Sequence, residues 1–441
     1  MKKSIILMFA VSISMMATAC GNSKETKDAS SAVLSNANDA ATAKSQTQSQ
    51  KPLPESEEYS SADGLYKVTL LKGLTQSDMQ IQANSSMMGL EGGSSRSGFS
   101  GIAMGSPKGS VPGNPAQMES LNDYADHLIH LTFKGSGVSV DWNDIDAETT
   151  QGADLCLARE GVAKSNGTKG SAYIYCAETA DSYYGLLLIG SDDDVNEARN
   201  VFSLEIIEGQ AADRGSKGFI SSMTAALDTV NGSSIMETVK ALHDMGADTS
   251  QLDALASQAK QSLAESWGIE DAAALMEMAD WLMKEGHNQG AMESLKKFDP
   301  SSIGDRDSFK KQLEESGEEE DVCNSILAAY DAWSAYGDAA ISAWDLSRVN
   351  TIMGFGYGAG YCTYEEAMDK CLEAAKKAQE SFRSWEDFNQ SYLNGYAYWT
   401  GESLDDLDSS AGDRAEIIKT LHSQNNGPFS VDWNMELKKD W

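Results

Sequence analysis

Two periodicities divide the chain. Between about residues 59 and 210, apolar side chains come in short runs bounded by Gly, Asn, Asp or Pro: "GLYKVTLL" (64–71), "GFSGIAMG" (98–105), "GADLCLARE" (152–160), "SAYIYCAET" (171–179) and "YYGLLLIGS" (183–191). Such runs predict strands, and the alternating "VSVDW" (138–142) predicts another. Residues 117–134 place Leu121, Tyr124, Ala125, Leu128 and Leu131 on one helical face. Ser191 and Asp194 have capping-box spacing ahead of a second helix that runs through Phe202. The short Gly/Asn-rich turns between the late strands predict an antiparallel meander covered by helices.

From Phe219 onward the period changes to that of a helix. "IEDAAALMEMADWLMKEG" (269–286), "EEEDVCNSILAAYDAWSAYG" (318–337) and "TYEEAMDKCLEAAKKAQESF" (363–382) are among the segments that carry it. Thr363 with Glu366 and Ser384 with Asp387 mark helix starts. Gly246, Gly286, Gly337 and Gly401 stand where a left-handed residue ends a helix. The expected fold class is therefore α+β: an antiparallel sheet with covering helices over 59–210, then an all-α domain over 219–441.

The first residues carry a different signal. Lys2 and Lys3 precede an uncharged, mostly apolar run over 4–19, the length of an exported signal and too short for a spanning helix. The run ends in Ala17-Thr18-Ala19-Cys20, which resembles the bacterial lipoprotein lipobox. That resemblance implies a signal peptide over 1–19, cleavage before Cys20, and acyl chains such as palmitate on the new N-terminal cysteine. Two or more acyl chains hold a protein stably on a membrane where one does so only marginally. Residues 20–58 are rich in Ser, Thr, Ala, Asn and Gln and read as a disordered tether reaching about 35 Å on average. The expected location is the cell membrane or outer membrane, lipid-anchored on the exported side.

Charge narrows the partners. A net charge of −33 repels nucleic acid, whose phosphates need Lys and Arg, and gives no basic patch for anionic lipid. The membrane is then reached through the N-terminal lipid, and an envelope protein or a small ligand is the remaining class of partner.

The residues also resemble known families. "ADGLYKVTLLKG" (62–73), a helix after the third strand, three late strands and a closing helix resemble PsbP-like domains of exported bacterial proteins over about 150 residues. That resemblance implies a binding or accessory role. "SWGIEDAAALMEMADWLMKEGH" (266–287), "AWDLSRVNTIMGFGYGAGYCTYEEA" (343–367) and "SFRSWEDFNQSYLNGYAYWTG" (381–401) resemble the bacterial domain-of-unknown-function family numbered 1266, the YbeU/YbeR type, over roughly 220–435. This second likeness implies a fold and no reaction.

Candidate chemistry concentrates in the middle block. Asp345 and Arg348 are three apart on a helix and able to pair, with Trp344, Tyr361 and Trp385 as aromatic neighbours in sequence. The cluster reads either as a core whose ion pair orients one helix or as a hydrolase-like site with Asp345 as base and Arg348 as anion clamp. Gly354, Gly356, Gly358 and Gly360 fit no phosphate loop, because Ala359 and Tyr361 occupy the positions a third glycine would need and a helix comes before rather than a strand. His127 and His130 share a helical face with Asp123 and Asp126 but lack a metal-binding motif. No cofactor is expected. Cys156 and Cys176 are equidistant from a turn near Asn166, a register that sets them opposite each other; the outcomes are a disulfide or two small buried thiols. Cys323, Cys362 and Cys371 are odd in number. The leading expectation is a membrane-anchored binding or accessory lipoprotein. A hydrolase-like enzyme around Asp345 and Arg348 is the alternative, and a structural envelope lipoprotein the third.

Overall fold

The computed structural model describes residues 53–82, 85–108, 118, 120–133, 136–165, 168–207, 215–231, 234–244, 249–298, 305–406, 408–424 and 427–441. The expected signal peptide over 1–19, Cys20 and the expected tether up to residue 52 lie outside the described residues.

The first half is built on strands. Six follow the predicted runs: β2 (Tyr66–Leu71), β5 (Ser100–Pro107), β6 (Ser139–Ile145), β7 (Leu155–Ser165), β8 (Thr168–Glu178) and β9 (Ser182–Gly190). Four more were not anticipated: β1 (Ser56–Ser60), β3 (Thr75–Gln82), β4 (Ser85–Glu91) and β10 (Ser203–Ile206). They form a seven-stranded sheet, ordered β3-β4-β5-β9-β8-β7-β6, and a three-stranded sheet, β1-β2-β10, antiparallel throughout. Strand β1 opens at Ser56, so residues 56–58, assigned to the tether by their polar composition, already belong to a sheet, paired with β2.

Side-chain alternation explains how the large sheet buries both faces. On one face Ile102, Met104, Ile174 and Leu187 pack under α1 (Leu121–Phe133), whose Leu121, Tyr124, Ala125, Leu128 and Leu131 are all buried. On the other, Ala103, Tyr175, Leu186 and Leu188 meet the small sheet through Tyr66, Val68 and Leu70, and also meet α2 (Asp192–Val201) through Val195 and Ala198. The Ser191 hydroxyl accepts from Asp194 N–H and caps α2.

The second half is helical. Its elements are α3 (Gly215–Ser222), α4 (Ala225–Asn231), α5 (Ile235–Asp244), α6 (Thr249–Trp267), α7 (Ala272–Lys284), α8 (Gly286–Lys296), α9 (Arg306–Glu315), α10 (Glu320–Tyr336), α11 (Ser342–Ala359), α12 (Tyr364–Ser381), α13 (Trp385–Thr400) and α14 (Ser410–Ser423). Helix α11 is the axle: Trp344, Leu346, Val349, Ile352 and Met353 all join one core with residues of α7, α12 and α13. A helix apolar all round belongs in the interior of its domain. Ala241 of α5 sits in the core beneath the large sheet, so the two halves share a packed boundary. No described helix is long and apolar enough to cross a membrane.

The cysteine register differs from expectation by one residue. The β7–β8 hairpin pairs Ser165 with Thr168, which sets Cys156 opposite Ala177 and Cys176 opposite Leu157. A slip of one residue turns side chains to opposite faces. Cys156 therefore packs on the small-sheet side and Cys176 on the α1 side, and both are free thiols. Burial pushes the Cys176 thiol well up.

Candidate functional site

The predicted cluster divides into three places. Trp344, Asp345 and Arg348 lie together in the first turns of α11, all buried. Tyr361 follows the other end of the same helix, about 24 Å along the axis at 1.5 Å per residue, where its hydroxyl donates to Glu270 O at 2.7 Å. Trp385 belongs to an aromatic knot with Phe219, Phe388, Phe429 and Trp433, and its indole N–H donates to Val431 O at 2.8 Å.

Asp345 serves a helix other than its own. Helix α7 ends at Lys284, and Gly286, at φ 57°, redirects the chain into α8. The first N–H groups of a helix lack internal partners and carry partial positive charge. Here the Asp345 carboxylate, 1% exposed, accepts from His287 N–H at 3.0 Å and Asn288 N–H at 2.9 Å. His287 Nδ1 also lies 2.7 Å from Asp345 Oδ1. Gly286 is required on two counts: its φ disfavours an L side chain, and a Cβ there would overlap the Asp345 carboxylate. Asn288 completes the junction, donating to Asp338 O and accepting from Ile341 N–H just before α11.

Sequence spacing made Arg348 the partner of Asp345. The partners resolved for Asp345 are on α8, and the Arg348 guanidinium lies 3.9 Å from the Trp344 ring centre, a cation–π contact. Trp344 in turn packs against Tyr392, Tyr396 and Trp399. His287, which sequence reasoning missed, is 29% exposed and opens on a shallow cavity of about 340 Å³ beside Trp281, Gln289, Glu293 and Tyr398. Its one sequence signal is its place after the helix-breaking Gly286.

The glycines of the central block do structural work. Gly360, at φ 74°, is the left-handed cap of α11, and a Cβ on Gly356 would overlap Leu275 of α7. Of the predicted helical face on α1, Asp126 pairs with Arg159 and Asp123 with Ser120. Among the described residues no three His, Cys, Asp or Glu converge on a metal-sized site.

A second place was not anticipated. A cleft with a cavity of about 50 Å³ lies between α3, α4, α5, α11 and α12, lined by Ile220, Leu227, Ile235 and Phe355 with Asp228, Glu237, Asn350 and Thr351. Asn350 Nδ2 donates to Ile220 O at 2.9 Å, which fixes the amide orientation. Its Oδ1 is buried with no hydrogen-bond partner among the described residues. Most buried acceptors do have partners, and of the few buried side-chain atoms left without one among the described residues, this is the one that lines the cleft. Asp228, also buried, accepts from the Thr224 hydroxyl at 2.7 Å. Burial pushes its carboxyl up to about 8, against the lowering effect of the Thr224 hydrogen bond and with a further rise from Glu237.

Residues 262–433 match the family described as Protein of unknown function (DUF1266). That span holds Asp345, His287, Arg348 and Asn350, whereas Asp228 and Glu237 precede it. No curated protein and no solved structure matches the chain.

Proposed function

We propose that the protein is an exported lipoprotein, held on the cell or outer membrane by acyl chains on Cys20, whose folded body is a binding or accessory module. Its helical half takes a small polar ligand in the cleft of Asp228 and Asn350. The lipobox-like Ala17-Thr18-Ala19-Cys20 supports the anchor. The observation that carries the binding reading is the Asn350 carbonyl, buried and without a partner among the described residues, in a cavity that also holds a buried carboxyl. An unmade buried hydrogen bond costs about 1–3 kcal/mol, and a bound donor removes that cost. A crystallographic fragment soak tests it: density within hydrogen-bond distance of Asn350 Oδ1 is expected, and water alone across a polar fragment set overturns it. The anchor is tested by Cys20→Ser, which should release a folded protein from membranes; a variant that still sediments after a high-salt wash refutes it.

A second reading is a hydrolase-like centre, and one observation favours it. The buried Asp345 carboxylate orients an imidazole whose ring reaches an open cavity, as in the base-and-orienter arrangement of many hydrolases. In that reading His287, rather than Asp345 or Arg348, takes the proton from the nucleophile. Hydrolysis of small ester or amide probes that disappears in His287→Gln supports it, and activity unchanged in that variant removes it.

A further inference from the structure

We infer that the cleft between α3, α4, α5 and α11 recognises a primary ammonium group on a short apolar stem. This rests on the binding reading of that cleft and names the chemistry of what it binds.

The polar lining is mostly acceptors. Asp228 and Glu237 bring carboxylates from α4 and α5, and Asn350 brings the unpartnered carbonyl from α11. The hydroxyls of Ser221, Thr224, Ser234 and Thr351 are able to accept as well as donate. The Thr224 hydroxyl is already directed at Asp228. A neutral amide or alcohol would satisfy Asn350 but gain nothing from Glu237 or from ionisation of Asp228, and an anion would add a negative group beside them. An ammonium has three donors and no acceptor, which matches one carbonyl and two carboxyls.

Size and charge agree with this. A water needs about 10–15 Å³ of such cavity, so about 50 Å³ admits a head group of a few heavy atoms and no ring. Ile220, Leu227, Ile235 and Phe355 supply an apolar wall for a stem. The chain's own ammonium at this cleft, Lys217, is exposed to solvent. A net charge of −33 draws cations toward the surface before any contact is made.

Binding should also move a proton. An ammonium beside Asp228 favours its ionised form, so the complex releases part of a proton near neutral pH. The other titratable groups lining this cleft are Lys217, Glu237 and Cys371, and burial holds the Cys371 thiol protonated.

The experiment is isothermal titration of the full chain with n-propylammonium, n-propanol and propionate, in two buffers of different ionisation heat. Nα-acetyl-lysine methylamide is a fourth probe and reports whether the group is reached on a peptide side chain. Expected are saturable binding of propylammonium with proton release, at least tenfold weaker binding of propanol and propionate, and at least tenfold loss in Asp228→Asn. Glu237→Gln, at the half-buried position, should weaken binding about threefold and serves if the first variant does not fold. Lysine-derivative affinity equal to that of propylammonium assigns a peptide source, and absence of its binding a free amine; either supports the ammonium class. Propanol bound as tightly as propylammonium, or binding indifferent to both substitutions, overturns the ammonium class and leaves the cleft as a binding site. No heat from any probe, with water alone in the soaked crystals, overturns both.

Discussion

Asp345 and Asp228 are both carboxylates buried within the helical half, and their surroundings are opposite. Asp345 is met by two backbone N–H groups and an imidazole at the start of α8. Asp228 has one resolved donor, the Thr224 hydroxyl, and a neighbouring carboxylate. A buried charge is tolerated when hydrogen bonds replace its lost water. By that test Asp345 is a finished structural joint and Asp228 an unfinished one. The lesson is that burial alone does not say what a carboxyl does; the groups that meet it do.

The sharpest way to break the comparison is pH. The Asp228 carboxyl titrates at about 8 in the folded chain and in the ordinary carboxylate range when unfolded. Its folded pKa is the higher one, so its contribution to stability is fully present below about pH 4 and is lost as pH rises through about 8. The shift corresponds to a contribution on the order of 5 kcal/mol. Asp228→Asn should remove that dependence, so the parent loses ground to the variant between pH 5 and pH 9 in urea midpoints. Equal slopes for the two proteins would place Asp228 in a polar, well-solvated setting and end the contrast.

Next in size is Asp345→Ala. It leaves two helix N–H groups and the His287 ring without their acceptor, at a cost of about 3 kcal/mol or more. Urea unfolding at neutral pH measures it. A variant as stable as the parent would make Asp345 the spare carboxylate and move it to the head of the functional residues. Gly286→Ala attacks the same joint from the backbone, with a left-handed φ and an overlap with the carboxylate. About 2 kcal/mol is expected, and Asp345→Ala should relieve part of it, because the overlap disappears with the carboxylate.

Much of this architecture was legible, and the illegible parts have physical causes. Runs rich in Val, Ile, Leu and Tyr bounded by turns became β2 and β5 to β9, because those side chains fill the faces of a doubly covered sheet. "SEEYS", "TQSDMQIQ", "SSMMGLE" and "SLEI" became strands too. Two of them are polar, the third is Ser- and Met-rich and the fourth is only four residues long, so their own side chains gave little strand signal; ladder bonds to neighbours hold them. Trp344, Asp345 and Arg348 were legible as a group because a helix turn joins them. Tyr361 and Trp385 were grouped with them by sequence proximity, which a straight α11 and a change of direction undo. His287 and Asp345 are 58 residues apart, and Asn350 and Ile220 are 130 apart. Only the packing of α8 and α3 on α11 makes those pairs, and no local pattern encodes it. The cysteine pair failed on one residue of turn register, the least determined feature of a hairpin.

The smallest effect tests whether Arg348 belongs to the joint or to the aromatic core. Its guanidinium sits over Trp344, 3.9 Å from the ring centre, and Trp344 bridges on to Tyr392, Tyr396 and Trp399 of α13. Arg348→Lys keeps the charge and the apolar stem and removes the planar group that stacks. A partly desolvated cation–π contact is worth about 1 kcal/mol, so a loss of about that size is expected, with a change in the near-ultraviolet circular dichroism of the tryptophans. If Arg348 instead serves mainly as the countercharge of Asp345, the lysine variant keeps most of the stability and the tryptophan signal stays as in the parent. Combining the charge-removing Arg348→Met with Asp345→Ala separates the two: additive losses place Arg348 with Trp344, and a combined loss well short of the sum returns it to Asp345.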